Sequence, residues 1–279
     1  MSTILKRNSL MVACVISLVS STTAQYEFAD GKLWATAQER ARVEYRANNT
    51  TFDSAIADDE DVFLLNRVRI GLGAKPCDWF KVYGELQDAR EINSQRVPPN
   101  TNLEEGLLDW RQGWVELANV GEFPLGLKVG RQELSYGEER LIGSFDWNNV
   151  GRVFDAVKLH WQSGNCWLDM FGASVVNNTV ATGRANSFDD KTYWGDDFYG
   201  IYGHTDALPK HKWDLYALLR DKSDGAAAGP ARQIYTVGTR FATTEKMAPW
   251  DYWLEIAGQF GHIQGSGEKL FGETTDAWN

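Results

Sequence analysis

Nowhere after residue 24 does this chain carry anything near the ~20 consecutive apolar residues that a membrane-spanning helix needs, which excludes helical membrane insertion. Cysteine is scarce, three in 279 residues. One of them, Cys14, sits in an N-terminal stretch that reads as a secretory signal: Lys6 and Arg7 form a basic start, Leu10–Val19 an apolar centre, and Thr22-Thr23-Ala24 a small-residue cleavage site before Gln25. A lipid-anchor reading of Cys14 would leave almost no apolar centre ahead of it, so a discarded cysteine is the expectation. Cys77 and Cys166 fall in or beside short links about four strands apart, on the order of 20 Å, beyond the ~7 Å reach of a disulfide, and both thiols are expected free. Positive charge is also in deficit, 28 Lys and Arg against 38 Asp and Glu, for a net charge of −10. Taken alone, that balance argues against any polyanion, nucleic acid included, as a partner.

What is abundant is amphipathic alternation. With 26 Gly, 12 Trp and a mean hydropathy of −0.40 the chain is too polar for a helical membrane protein and too aromatic for disorder. About eleven stretches of period two follow one another, each near the ~10 residues of a transmembrane strand. They are Leu33–Arg46, Val62–Ala74, Trp79–Arg90, Leu107–Asn119, Leu125–Leu134, Arg152–Gln162, Cys166–Val175, Asp197–Thr205, Lys212–Arg220, Arg232–Ala242 and Tyr252–His262. Cys166–Val175 and Asp197–Thr205 have clear boundaries and ambiguous faces.

The links between them alternate. Lys75–Asp78, Val120–Pro124, Ser163–Asn165, Asp206–His211 and Thr243–Asp251 are short; Ala47–Asp61, Glu91–Gly106, Ser135–Gly151, Val176–Asp196 and Asp221–Ala231 are long. A β-sandwich mixes hairpins and crossovers without regard to parity, whereas an outer-membrane barrel keeps tight turns in the periplasm and long loops outside. The reading is therefore all-β, an antiparallel transmembrane β-barrel; a secreted lectin-like sandwich is the soluble alternative. Trp79, Phe80, Phe123, Trp161, Trp167, Trp213, Trp250, Tyr252 and Trp253 gather near the short links, as an interfacial girdle would.

Sorting charge by face reverses the inference from net charge. The polar faces carry Arg40, Arg42, Arg46, Arg67, Arg69, Lys81, Lys128, Arg152, Lys158, Lys212, Arg220, Arg232 and Arg240 against Glu44, Glu85, Glu116, Asp214 and Glu255. A basic lumen favours anions, and arginine matches carboxylates with two parallel hydrogen bonds. The alternative is that these arginines pair with lumen acids and hold the barrel's shape. The long loops are acidic, led by Asp58-Asp59-Glu60-Asp61.

No chemistry of bond-making is visible. His160, His204, His211 and His262 are far apart, and none stands by a serine in a nucleophile motif. Gly71 and Gly73 lack the helix that a phosphate loop needs and read as small lumen residues. Asp58–Asp61 lacks the glycine and spacing of an EF-hand. No enzyme, no cofactor and no metal are expected.

Gly130-Arg131-Gln132-Glu133-Leu134-Ser135-Tyr136-Gly137-Glu138-Glu139-Arg140-Leu141, then Trp147-Asn148-Asn149-Val150-Gly151-Arg152-Val153-Phe154-Asp155, resembles the alginate export family of outer-membrane porins. Trp110-Arg111-Gln112-Gly113-Trp114-Val115-Glu116-Leu117 fits it too. The resemblance implies a barrel of about eighteen strands with an arginine-lined constriction that passes an anionic uronate polymer outward, and makes Arg111, Arg131 and Arg152 constriction candidates. With Arg40, Arg42, Arg67, Arg69 and Arg240 from the polar faces they form the candidate substrate path. Strict alternation puts Arg131 outward with Leu127 and Val129, so a bulge at Gly130 is expected to re-aim it; Arg111 has the same parity problem.

The division is residues 1–24 as signal and 25–279 as a partial barrel domain. Its first and last strands are expected unpaired, because an odd count leaves an open edge and the tail Ile263–Asn279 does not read as a closing strand. The expected partners are an anionic polysaccharide or small anions, outer-membrane lipid with lipopolysaccharide, and periplasmic secretion components. The competing function is a nutrient porin for carboxylates or phosphates.

Overall fold

A computed structural model describes residues 14–47, 61–94, 108–118, 124–177, 191–223, 230–244 and 250–264. Twelve strands follow one another: β1 (Cys14–Phe28), β2 (Leu33–Ala47), β3 (Asp61–Cys77), β4 (Phe80–Ile92), β5 (Asp109–Ala118), β6 (Leu125–Gln132), β7 (Phe154–Ser163), β8 (Cys166–Asn177), β9 (Lys191–Thr205), β10 (His211–Lys222), β11 (Arg232–Thr243) and β12 (Trp253–Ile263). All pair antiparallel with their sequence neighbours in one sheet. The fold is all-β, and among the described residues no helix is long and apolar enough to cross a membrane. Among the described residues the sheet is not closed: its order runs from β1 to β12, and no ladder joins those two ends.

Eleven of the strands coincide with the alternating stretches. The additional one, β1, runs through residues assigned to the signal and pairs with β2 from Phe28↔Leu33 to Cys14↔Ala47. Its hairpin turns through Ala29, Asp30 and Gly31, all at positive φ (52°, 56° and 75°), and continues the rhythm as one more short link. The acids at 58–60 and the tail beyond residue 264 lie outside the described residues.

The two faces are the reverse of a soluble protein's. Val115, Val129, Val157, Gly172, Tyr199, Leu219, Tyr235 and Phe260 stand side by side from β5 to β12 in an outward apolar row. Ile70 and Val237, on the same outward face, are 55% and 57% exposed, while Arg67 and Gln87 on the other face are fully buried. Apolar residues outward and charged residues inward is the arrangement of a sheet whose outer solvent is lipid. The faces of β8 and β9 resolve as well, with Asp169, Phe171, Ala173 and Tyr202 inward and Met170, Tyr199 and Ile201 outward. Both faces are apolar there, which hid the register. Of the girdle aromatics, Trp79, Trp161, Trp213, Trp250, Tyr252 and Trp253 are exposed, and Phe123 lies outside the described residues. Trp167 instead packs against the inner cluster of Tyr136, Phe171 and Tyr202.

The sheet curls around a segment of its own, residues 133–153, between β6 and β7. Asp146 of that segment pairs with Arg67 and Arg69 on β3, and Glu138 pairs with Arg240 on β11. Fully extended, the chain between them spans at most ~28 Å. In a flat sheet β3 and β11 would lie eight strand spacings, ~38 Å, apart. Only a deep trough lets one short segment touch β2, β3, β11 and β12.

Candidate functional site

The segment is rigidified locally. Tyr136 N–H donates to Ile142 (3.2 Å), Asn148 N–H to Phe145 (3.1 Å) and Arg152 N–H to Ser144 (2.6 Å), and Leu134, Ile142, Asn149, Val150 and Val153 are buried. Gly151, at φ 83°, runs so close to Arg69 and Arg111 that a Cβ would stand 3.2 Å and 3.4 Å from their terminal nitrogens. Glycine alone suits both the backbone angle and that approach.

Four arginines converge on this segment from β2 and β3. Arg67 and Arg69 both hold the Asp146 carboxylate, at 3.0 Å and 2.8 Å, with Arg40 at 3.8 Å. Arg40 also donates to the carbonyls of Asp146 (2.6 Å) and Asn148 (2.8 Å), Arg42 donates to that of Trp147 (2.5 Å), and Gln87 to that of Val150 (2.9 Å). The Arg42 guanidinium lies 4.3 Å from the Trp147 ring centre. Burying a guanidinium costs several kcal/mol unless acceptors surround it, and here a carboxylate and a row of carbonyls do so. Burial pushes the Asp146 carboxyl up, but Arg69 and Arg67 outweigh it and hold it below the usual carboxylate range.

Arg111 joins from β5, its two terminal nitrogens on Glu85 (2.8 Å) and Glu133. It reaches the inner face because β5 carries a bulge there: Glu85 pairs with Gln112 and Leu86 with Trp110, which leaves Arg111 as the extra residue. Arg240 lies across the trough, on Asp214 (3.1 Å) and Glu138.

One of the eight candidates, Arg131, lies on the other face, and another, Arg152, sits in the segment itself. Arg131 keeps strict alternation, opposite Gly113 and Asp155, with no register shift at Gly130, so the expected bulge there is absent. Its guanidinium faces outward near the end of β6 and forks onto Asp155 at 3.0 Å and 3.1 Å. A bidentate partner at the strand end removes the need to turn inward. Arg152 precedes β7, is exposed, and lies 5.6 Å from the Phe145 ring centre.

The charge balance of the inner face is tighter than the strand pattern implies. Asp109, Asp169 and Asp196 add to the acids there, each buried, and Asp196 takes Arg220 at 2.9 Å and 2.8 Å. Acid side chains at Glu133, Glu138 and Asp146 arrive from the segment, where sequence alone marked only loop acids.

Everything here is recognition chemistry: guanidinium forks, carboxylates, carbonyls and aromatic rings along one trough. Among the described residues no three His, Cys, Asp or Glu side chains cluster as metal ligands. A family model described as alginate export matches residues 32–279, all but the first 31 residues. The chain belongs to the alginate export family. No curated protein is similar enough to be matched. Alginate export is a transport family and not an enzyme family, so this chain is of the outer-membrane polysaccharide export channel type. The quoted motifs of the alginate export family, residues 130–141 and 147–155, supply the segment that fills the trough and the strand ends that hold it.

Proposed function

We propose that the chain passes an anionic polysaccharide of uronate type outward along the trough, with Arg40, Arg42, Arg67, Arg69, Arg111 and Arg240 as the positive path. Residues 1–24 direct it to the outer membrane and are removed after Ala24, which leaves only Gln25–Phe28 of β1 on β2; outer-membrane lipid and lipopolysaccharide surround it, and periplasmic secretion components deliver the polymer. The observation that carries this reading is the grip of Arg67 and Arg69 on the single carboxylate of Asp146. A uronate presents that same group once per sugar. The site therefore already holds, from its own chain, the chemistry of the cargo. Buried Nε donors of Arg40, Arg67, Arg111 and Arg240 have no hydrogen-bond acceptor among the described residues, which adds to the pull on an anion. Arg131, whose guanidinium faces outward, stands outside this path, and Arg152 joins it from the segment beside Gly151.

The test is conductance of the full chain in planar bilayers. Oligouronates should block the open channel and neutral oligosaccharides of equal length should not, with Arg67→Gln and Arg69→Gln lowering anion preference. Equal block by single small carboxylates would instead favour carboxylate uptake.

A further inference from the structure

On the short-link side of the in-folded segment lies a cavity of about 580 Å³, within the ~300–1,000 Å³ of small-ligand sites. Two aromatic walls bound it. Trp34, Tyr83 and Trp114 form one, with ring centres 6.3 Å and 5.5 Å apart along the run. Tyr136 and Trp167 form the other, 6.3 Å apart. The first run crosses β3 because that strand offers Gly71 and Gly73; a Cβ at either would overlap the Tyr83 hydroxyl or the Trp34 ring.

Between the walls, β6 and β7 set Lys128 directly opposite Lys158. Like charges in that position repel unless something intervenes. The nearby acids pair with other groups, Glu116 included although β5 sets it directly opposite Lys128. Asp169 takes Lys158 (3.2 Å), His160 (2.5 Å) and the Tyr136 hydroxyl (2.7 Å); Glu116 takes Lys81 (2.9 Å); Glu133 takes Arg111. Lys128 rests 3.8 Å from the Trp114 ring centre, and among the described residues no carboxylate stands within ion-pair distance of it.

We propose that this cavity is a saccharide subsite for one unit of the polymer, the sugar ring stacked on the aromatic walls and its carboxylate on Lys128. A pyranose in its chair form presents a face of electron-poor C–H bonds, the complement of the negative face of an indole or phenol ring. A free phosphate would use the lysine and waste the rings, and a lipid tail would meet two ammonium groups. The subsite adjoins the arginine cluster through the Glu133–Arg111 pair, so a polymer entering from the short-link side meets rings first and guanidinium forks next. This rests on the uronate reading above and adds to it where the polymer is first held.

Residence times of oligouronate block, measured with the full chain in planar bilayers, decide it. Trp114→Leu and Lys128→Gln should each shorten residence roughly tenfold, and Trp114→Phe should restore most of it. Brief events with neutral oligosaccharides should respond to Trp114→Leu and not to Lys128→Gln. If both variants conduct normally and leave oligouronate residence unchanged while Arg67→Gln shortens it, the subsite is refuted and the passage reading survives. Absence of oligouronate block in the unmodified protein overturns both. Should Trp114→Leu fail to insert, Lys128→Gln, which keeps the side chain's bulk, carries the test alone.

Discussion

Arg111 and Arg131 share a parity that assigns both to the apolar face, yet only Arg131 remains there. A single inserted residue on β5 turns Arg111 inward onto Glu85, whereas Arg131 stays outward because Asp155 stands directly across from it. Nothing in alternation distinguishes these outcomes, since a bulge depends on the partner strand's register. Arg40, Arg42, Arg67, Arg69 and Arg240 were legible, because each falls on the polar side of a long, regular strand. Asp146 was not: it lies between the two quoted motifs, and only the folding of its segment into the trough makes it the counter-ion of three arginines. Its carboxyl is held below the usual range by Arg69 and Arg67, so docking of the segment gains stability above the ordinary carboxylate pKa and loses it as pH falls through the lowered value. Conductance should thus stay constant through neutral and mildly acidic pH and step upward only in strong acid. Asp146→Asn should remove that step and raise conductance at neutral pH; a step that persists in this variant would assign the transition to another group.

At the scale of elements, strand boundaries and short-long parity were readable because a period of two survives any sequence detail, while faces failed where both sides are apolar, as in β8 and β9. β1 is not legible in the sequence for a different reason, since an apolar stretch followed by Ser-Ser-Thr-Thr-Ala satisfies both a signal and a strand. The conformation of residues 133–153 could not be derived from period at all, because its hydrogen bonds are to distant strands and its local turns use positive φ at Gly137, Glu139, Phe145 and Gly151. The assigned faces make a direct prediction. Ile70→Arg and Val237→Arg, on the exposed apolar face, should cost ~2–4 kcal/mol each near the midplane and reduce the assembled fraction seen as heat-modifiable protein on gels. Gln259→Arg, on the inward face of β12 where Gln259 donates to Thr236 at 3.0 Å, should assemble normally. Equal losses at all three sites would mean that the outward row does not face lipid.

For the molecule as a whole, every short link shares one side of the sheet and every long link the other, so orientation in the membrane is a single binary choice. Tight turns belong in the periplasm, which places the in-folded segment's entry on the outer side and the aromatic cavity toward the inner. The protein carries its own reporters of this choice. Cys77 ends β3 and Cys166 begins β8, both at short links, both free and half-buried, with the Cys166 thiol donating to Thr205 at 3.1 Å. Neither has a nearby partner thiol to divert it. A membrane-impermeant maleimide applied to intact cells should leave both unlabelled, and the same reagent after permeabilisation should modify Cys77 first, since no hydrogen bond of its thiol competes. Ser223→Cys, exposed beside a long link, should label on intact cells without permeabilisation. Labelling of Cys77 from outside, with Ser223→Cys protected, would invert the barrel, move the cavity to the exit, and make the arginine cluster the first contact of a polymer leaving the periplasm.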